Sequence, residues 1–459
     1  MTSEVRPPAF VHDLNTCVGC QACVIACANE NELEPGIFWR QIVTFNEARH
    51  PALPVFHLSL ACNHCLDAPC LRYCPADAIR RDAGTGAVVI DDGSCIGCRY
   101  CSWVCPYEAP QFNARRGVMQ KCTLCTHRLA EGLQPACTSL CPTGALRLDR
   151  YSENGGLDTP GFPDAGIRPA IRFIHLRRVP LGPEVAPIDS TGDASLERGR
   201  PAATAAASRP SPKITLRSEW TLAVFTFLAI VLVSWLCASL MGGPSVQPAV
   251  FLAAGLSGML LSSLHLGRPG RAWRAMLNWR RSWLSREVMT YPLFLGVAGL
   301  SLATAPSARA LGPVAAAAGL ACLVCIDRVY VVMARERQSA MDQVNALTSA
   351  AFLAGVMAGR PALFLPLGSL RLLGYAARRR RDPGRALTGA SSAVAVLRMA
   401  LGCVIPLGLW LTGRPDLTVA AAASAVVGEF VDRCSFYDSL DVVTPRGRMA
   451  SDLLAQLDA

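Results

Sequence analysis

The sequence predicts a chain of two unlike parts: a small α+β domain that holds metal, then an all-α transmembrane bundle of eight helices. Three observations predict it. Sixteen of the 21 cysteines fall in four groups between residues 17 and 141. From about residue 219 onward, apolar runs of roughly 18 to 23 residues recur between short Arg-rich or Gly/Pro-rich breaks, the pattern of membrane-crossing helices. Between these parts, 184–212 is rich in Pro, Ala, Ser and Gly, the composition of a flexible tether. The expected organisation is therefore a metal domain over 1–183, a linker over 184–212 and an anchor over 213–459. The length of 459 residues and the mean hydropathy of +0.30 both argue against one ordinary soluble domain.

The net charge of +10 is no argument for nucleic acid. Much of the excess is Arg in the short loops between apolar runs, where the positive-inside rule accounts for it. The stretch MTSEVRPPAFVHDLNTC has no apolar core and no twin-Arg pair, so no export signal is expected there. Without one, a disulfide framework gives way to metal as the use for the cysteines.

The first group, CVGCQACVIAC, supplies Cys17, Cys20, Cys23 and Cys27; the second, CNHCLDAPCLRYCP, supplies Cys62, Cys65, Cys70 and Cys74. The third, CIGCRYCSWVCP, supplies Cys95, Cys98, Cys101 and Cys105. The fourth is CTLC, followed after eleven residues by CTSLCP, with Cys122, Cys125, Cys137 and Cys141. Groups one and three fit C-x2-C-x2-C-x3-C, the bacterial ferredoxin run, in which the fourth cysteine reaches the neighbouring cluster. Four groups of four imply four 4Fe–4S clusters in two ferredoxin-like pairs. Pro75, Pro106 and Pro142 follow the last cysteine of their groups, where group one has Ala28. Zinc is the competing reading, since CxxC pairs also build zinc ribbons. Zinc sites take two pairs per ion and have no use for a repeated third cysteine at i+6. With all cysteines of the soluble part accounted for as ligands, no catalytic residue is expected: clusters in series make a wire. His64 beside Cys65 and His127 after Cys125 read as loop histidines at a subunit contact, rather than as groups that tune a cluster by hydrogen bonds to sulfur.

Residues 12–148 resemble the four-cluster iron–sulfur subunit of the membrane-bound molybdopterin oxidoreductases, most closely the dimethyl-sulfoxide-reductase type. The stretches CIGCRYC, VCPYEAPQFN and MQKCTLCTHRLAEGLQPAC, followed by CPTGAL, carry the likeness. The resemblance implies that groups one and four exchange their last cysteines, as do groups two and three. One cluster would then use Cys17, Cys20, Cys23 and Cys141, and its mate Cys122, Cys125, Cys137 and Cys27. The other pair would use Cys62, Cys65 and Cys70 with Cys105, and Cys95, Cys98 and Cys101 with Cys74. Some relatives replace the second cysteine of group three and carry a three-iron cluster; Cys98 is present here, so four irons are expected. The resemblance also implies a molybdopterin-containing catalytic subunit on a separate chain.

Eight spans are expected, near 219–241, 248–266, 288–305, 313–333, 345–359, 361–376, 388–411 and 417–437. Arg360-Pro361 could lie within one long helix, but eight spans put seventeen Lys and Arg on one side of the membrane against Arg309, Arg360 and Arg414 on the other. The rich side receives Lys213, Arg217, six arginines between 268 and 286, Arg335, Arg337, Arg378 to Arg381, Arg385, Arg446 and Arg448. That bias places both termini and the metal domain in the cytoplasm, with the chain a multi-pass protein of the plasma membrane in contact with lipid.

One histidine, His265, lies in this half. A membrane b-type haem needs two, so a bis-His haem within this chain is excluded, leaving a haem-free anchor that exchanges electrons directly with the quinone pool, menaquinone or ubiquinone. LHLGRPGRAWRAMLNWRRSWLSRE at 264–287 resembles the stretch after the second span of the dimethyl-sulfoxide-reductase anchor, and GEFVDRCSFYDS at 428–439 resembles its last span. His265 ends the second span on the metal-domain side and is the expected quinone contact, able to donate a hydrogen bond and handle protons near neutral pH. Arg268 and Arg271 read as topology charges, and Trp273, Trp279 and Trp283 as interfacial anchors. Asp327, Arg328, Arg398, Glu429, Asp432 and Arg433 are costly intramembrane charges; ion pairing between spans accounts for them, with Glu429 the next quinone candidate after His265. Cys237, Cys322, Cys325, Cys403 and Cys434 read as inert small hydrophobes.

The expected function is electron transfer and quinone reaction within a molybdopterin oxidoreductase, with the iron–sulfur and anchor subunits fused. Relatives that reduce S- or N-oxides hold their iron–sulfur subunit outside. A cytoplasmic cluster domain resembles the quinone-linked sulfite dehydrogenases instead, so oxidation into the quinone pool is favoured over the quinol-oxidising reductase. A zinc-bearing membrane scaffold and a quinone oxidoreductase fed by soluble ferredoxin are the readings from other classes.

Overall fold

The computed structural model describes residues 7–45, 55–152, 159, 162–163, 165–177, 214–304, 311–332, 345–381, 389–414, 417–439 and 445. The expected linker over 184–212 lies outside them, as do Lys213, Arg309, Arg335, Arg337, Arg385, Arg446 and Arg448.

The N-terminal part is built from short strands and shorter helices, because a chain that returns to a metal loop every few residues has no room for long elements. The strands are β1 (Pro8–Asp13), β2 (Arg40–Phe45), β3 (Phe56–Ala61), β4 (Ile79–Arg81), β5 (Val88–Ile90), β6 (Gln111–Asn113), β7 (Val118–Gln120), β8 (Leu146–Arg150) and β9 (Ile171–Ile174). The helices are α1 (Ala22–Glu30), α2 (Pro69–Arg72), α3 (Tyr100–Trp103), α4 (Thr126–Ala130) and α5 (Ala136–Ser139). β1 pairs antiparallel with β8 and parallel with β9, while β2–β3, β4–β5 and β6–β7 are hairpins. The first strand thus closes on the last two and holds the four cysteine loops together.

The membrane part contains α6 (Leu216–Leu240), α7 (Pro248–Leu264), α8 (Trp283–Thr304), α9 (Leu311–Val331), α10 (Ala346–Met357), α11 (Pro361–Arg381), α12 (Gly389–Met399), α13 (Ile405–Leu411) and α14 (Thr418–Ser439). A π-helical turn, Ala400–Val404, joins α12 to α13. Each expected span falls on helix. By length and apolarity four stretches can cross a membrane (Leu216–Leu240, Trp283–Thr304, Leu311–Val331 and Ala393–Leu411), and a fifth if α7 is joined to the short helix Pro269–Met276, which bends from it by 104°. Ala346–Met357 and Pro361–Leu373 are shorter apolar helices. The chain does break before Pro361: Gly359 takes a φ of 63°, and Arg360 turns back to donate to the Met241 carbonyl at 2.8 Å.

Gly428 on α14 and Gly402 on the π-turn allow these two backbones to meet, since a Cβ on Gly428 would collide with the Gly402 backbone. Close approach of this kind suits helices that pack in lipid. It brings α14 against α11 and α12 and so creates the buried charge cluster described below.

Candidate metal centres and the loop beneath them

The four cysteine groups share a backbone device. The residue just before the second cysteine is left-handed in every group: Gly19 (φ 68°), His64 (φ 42°), Gly97 (φ 70°) and Leu124 (φ 61°). Two groups use glycine, which adopts this conformation without a Cβ penalty; His64 and Leu124 accept about 1–2 kcal/mol each. A second left-handed residue lies three positions after the last cysteine in groups two, three and four, at Asp77, Glu108 and Gly144. These are the groups with proline after that cysteine. In group one Cys27 sits inside α1, which continues through Ala28 to Glu30. A proline there would break the helix, so its absence has a local cause.

Most of the sixteen thiols are buried; Cys20 is exposed, and Cys17, Cys98 and Cys141 are partly so. Burial pushes Cys27 up to about 12, Cys70 up to about 12 and Cys74 up to about 11. Neighbouring thiols add to the effect. Cys17 feels Cys141 and Cys20, and Cys27 feels Cys137, Cys125 and Cys23. Cys65 feels Cys62, Cys105 and Cys70. Cys98 feels Cys74 and Cys95, as does Cys101. Between these gatherings the same electrostatic influence reaches Cys23 from Cys137, Cys122 from Cys62 and Cys101 from Cys70.

A cavity is lined by Cys62, Cys65, Cys70 and Cys105, with Lys121 and Pro69 among its walls. Thiols from two loops facing one enclosed space form a donor set of the kind an iron–sulfur cluster takes. Backbone N–H groups point at sulfur as well: Ala78 to Cys74 at 3.4 Å, Met119 to Cys95 at 3.4 Å, Leu124 to Cys122 at 3.3 Å and Leu146 to Cys141 at 3.4 Å. Such donors favour negative charge on sulfur. Among the described residues no group of three or more His, Cys, Asp or Glu is placed to hold a single metal ion.

The two loop histidines behave differently from each other. His127 is half-exposed and pairs with Glu30 at 2.8 Å. His64 is buried, so the expectation of a surface contact fails for it: its Nδ1 accepts from the Val88 N–H at 3.0 Å. Burial, with Lys121 adding to it, holds this imidazole neutral, well below its ordinary range.

The loop 265–282 lies directly under groups two and three. Arg268 donates through its backbone N–H to the Ile96 carbonyl at 3.1 Å and through Nε to the Arg116 carbonyl at 2.8 Å. Arg271 reaches the Asp92 and Cys95 carbonyls at 2.8 and 3.2 Å, and Arg274 reaches Ser94 Oγ at 2.8 Å. Asn278 donates to the Cys74 carbonyl at 2.9 Å, and Ser282 to the Tyr73 carbonyl at 3.0 Å. The arginines read from sequence as topology charges are thus also the bolts between the two parts. A guanidinium suits the task because it presents several donors on one rigid plane. Contact is closest where Gly97, Gly117 and Gly267 meet: a Cβ on Gly117 or Gly267 would collide with the other's carbonyl oxygen.

His265 caps α7 at the edge of this loop. Its Nδ1 is buried without a hydrogen bond of ordinary geometry, and Arg99, next to Cys98, is close enough to act on it electrostatically. Arg99 in turn stacks over Phe112 at 4.2 Å and pairs with buried Glu219 at 3.8 Å. Glu287, at the start of the second turn of α8, is buried with 7% of its surface exposed, and sequence reasoning passed over it as part of the basic loop. Trp273 and Trp279 are exposed, whereas Trp283 lies beneath the guanidinium groups of Arg286 at 4.2 Å and Arg328 at 5.8 Å.

Glu429 is far from free. Its Oε2 accepts from Arg371 at 2.7 Å, and its Oε1 lies 3.7 Å from Arg433. Arg371 also touches Asp432 at 3.3 Å, and Arg398 reaches Asp432 at 2.8 Å. Asp327 caps α10 instead, accepting from the Ala346 and Leu347 N–H groups at 2.9 and 3.2 Å. Arg371 was not among the charges singled out from sequence, because it stands at the edge of a long arginine-rich tail.

The 4Fe-4S dicluster domain family matches residues 53–151, and the DMSO reductase anchor subunit (DmsC) family matches residues 218–365. A probable anaerobic dimethyl sulfoxide reductase chain, YnfG, of Escherichia coli K12 is 40% identical over 152 residues, covering 31% of this chain and 74% of that protein. The chain belongs to the iron–sulfur subunits of the dimethyl-sulfoxide-reductase family. A sulfite dehydrogenase subunit of Allochromatium vinosum is 33% identical over 210 residues, 38% of this chain and 87% of that protein. The thiosulfate reductase electron transfer subunit PhsB of Salmonella typhi is 41% identical over 148 residues, 32% and 77%. In this family member the iron–sulfur subunit is fused to a DmsC-type anchor, which makes it an integral membrane electron-transfer protein.

Proposed function

We propose that this chain carries electrons through four 4Fe–4S clusters between a molybdopterin-containing catalytic subunit and a quinone, with domains over 1–183 and 213–459 joined by the 184–212 linker. The ligand sets are Cys17, Cys20, Cys23 and Cys141; Cys122, Cys125, Cys137 and Cys27; Cys62, Cys65, Cys70 and Cys105; and Cys95, Cys98, Cys101 and Cys74. The observation that carries the reading is the enclosed space walled by thiols of two loops, Cys62, Cys65, Cys70 and Cys105, in a fold whose four cysteine loops share one left-handed turn and end on the loop docked under Cys95. When bound, the clusters supply one-electron carriers at each set; the chain's own part is to hold their thiolates, exclude water and seat the partners at either end.

At the outer end Val18, Ile25 and Leu140 are exposed around Cys17, Cys20 and Cys141. An apolar patch around an accessible redox ligand suits a docked subunit, and this face is assigned to the catalytic partner. At the inner end the quinone is assigned to His265, whose imidazole can hold a carbonyl oxygen and pass a proton, with Arg99 and its buried partner Glu219 as the adjoining charges. Iron analysis of the purified chain should return about sixteen irons, four per set, and Cys98→Ser should convert one cluster to a three-iron signal by electron paramagnetic resonance. Zinc in place of iron and acid-labile sulfide would sink the reading.

The eight-span arrangement, with the cluster domain in the cytoplasm, is supported by the excess of arginine on that side and favours oxidation of sulfite or a similar donor into the quinone pool. The longer match to a sulfite dehydrogenase subunit supports the same direction, while the higher identity to reductase chains supports quinol oxidation with an S- or N-oxide as acceptor. Reporter fusions at Ala459 separate the two. Fluorescence without phosphatase activity is expected; the reverse would put the clusters outside and make the chain the quinol-oxidising arm of a reductase.

A further inference from the structure

Two cations are buried among the cysteine loops with no carboxylate within salt-bridge distance among the described residues. Arg40 opens β2 and is 2% exposed. Its Nη1 donates to Ser59 Oγ at 2.8 Å, and that hydroxyl lies 3.9 Å from Cys23 Sγ. The guanidinium stacks 4.5 Å over Phe10, and its Nη2 is buried without a partner. The negative groups that act on it are the sulfurs of Cys137, Cys122, Cys23 and Cys27. Lys121, also 2% exposed, donates to the Val88 carbonyl and, at 3.2 Å, to that of Cys122. It lines the cavity walled by Cys62, Cys65, Cys70 and Cys105, and the sulfurs acting on it are those of Cys62, Cys70 and Cys122.

A lone buried cation is expensive unless negative charge surrounds it. Once clusters are bound, thiolates from two ligand sets would supply that charge on each side. Arg40 lies between the set ending in Cys141 and the set ending in Cys27; Lys121 lies between the latter and the set ending in Cys105. At the third junction the strongest influences on Cys74, Cys98 and Cys101 are burial, other thiols and backbone N–H groups.

We propose that Arg40 and Lys121 are potential-setting positioning residues, one at each of the first two junctions counted from the set ending in Cys141, that raise the reduction potentials of the clusters they separate. The inference rests on the four-cluster reading. Each one-electron reduction adds negative charge to a set, and a fixed cation in a water-poor site stabilises the product more than the reactant. Among the described residues no buried cation without a carboxylate partner lies against the set holding Cys98, which serves as an internal control.

The test is a dithionite titration of the whole membrane complex, with redox mediators, followed by electron paramagnetic resonance. Arg40→Met should lower the midpoint potential of at least one of its two flanking clusters by tenfold or more in the reduced-to-oxidised ratio, about 59 mV per tenfold for one electron. Arg40→Lys should restore most of the shift. Lys121→Met should move the clusters flanking that residue, and neither variant should move the control. Signals of full intensity at unchanged potentials in both methionine variants would overturn the proposal. If Arg40→Met fails to assemble, Lys121→Met decides alone. Fewer than about twelve irons in the unaltered complex would sink the four-cluster reading itself, which a potential shift does not address.

Discussion

Gly267→Val is expected to leave the iron content intact and to slow quinone-linked reduction of the clusters on the order of 10²-fold, the scale of loss when reacting groups are displaced by about 1 Å. The residue has no unusual φ to protect, so the backbone conformation itself tolerates a side chain. What it lacks is room: a Cβ would strike the Gly117 carbonyl oxygen and the Phe112 ring. The loop would have to lift away, and with it the Arg268 and Arg271 contacts that hold Ile96 and Cys95 over His265. Gly270→Val is the control three residues on, because a Cβ there meets nothing within 4 Å. The measurement is the rate of cluster reduction by a quinol analogue in membranes, set against reduction by dithionite. Wild-type quinol rates in Gly267→Val would mean that the triple-glycine contact does not position the electron exit.

What was legible in the sequence was what is local. A cysteine loop is specified within about ten residues, and its left-handed turn needs only the residue before the second cysteine, so Gly19 and Gly97 announce it. The break at Arg360-Pro361 was legible for a different reason: the dipeptide alone allowed one long helix, and the balance of Lys and Arg across the membrane decided for two. The buried cations were not. Arg40 begins an ordinary amphipathic strand, RQIVTF, and only the folding of groups one and four around it turns that side chain inward. Lys121, beside a cysteine, looks like a solvated neighbour. The arginines of 268–274 were legible as charge but not as contacts, because the positive-inside rule already explained them. Their acceptors, the carbonyls of Asp92, Cys95, Ile96 and Arg116, lie some 150 residues or more away in sequence, and no periodicity encodes them.

Arg371 is the clearest case of a residue hidden by its surroundings, and its removal carries the second large effect. Arg371→Met should destabilise the membrane part by about 3–5 kcal/mol, the usual cost of breaking a buried ion pair by deleting one partner. Glu429, whose side chain is 0% exposed, would keep Arg433 at 3.7 Å, and Asp432 would keep Arg398 at 2.8 Å. Replacing both members together, Arg371→Met with Glu429→Leu, should cost less than the two single changes added, because the 2.7 Å pair is removed whole, and buried Arg433, 3.7 Å from Glu429, is the one charge the double variant leaves behind. Thermal unfolding of the detergent-solubilised chain, followed on helix content, measures both quantities. The cycle also separates two roles for Glu429. A brace predicts that Glu429→Gln lowers the unfolding temperature and leaves quinone-linked rates per folded molecule unchanged. A quinone contact predicts the opposite pattern. Because Arg371 and Arg433 both lie against this carboxylate, the brace is the expected result, and His265 remains the group on which quinone chemistry turns.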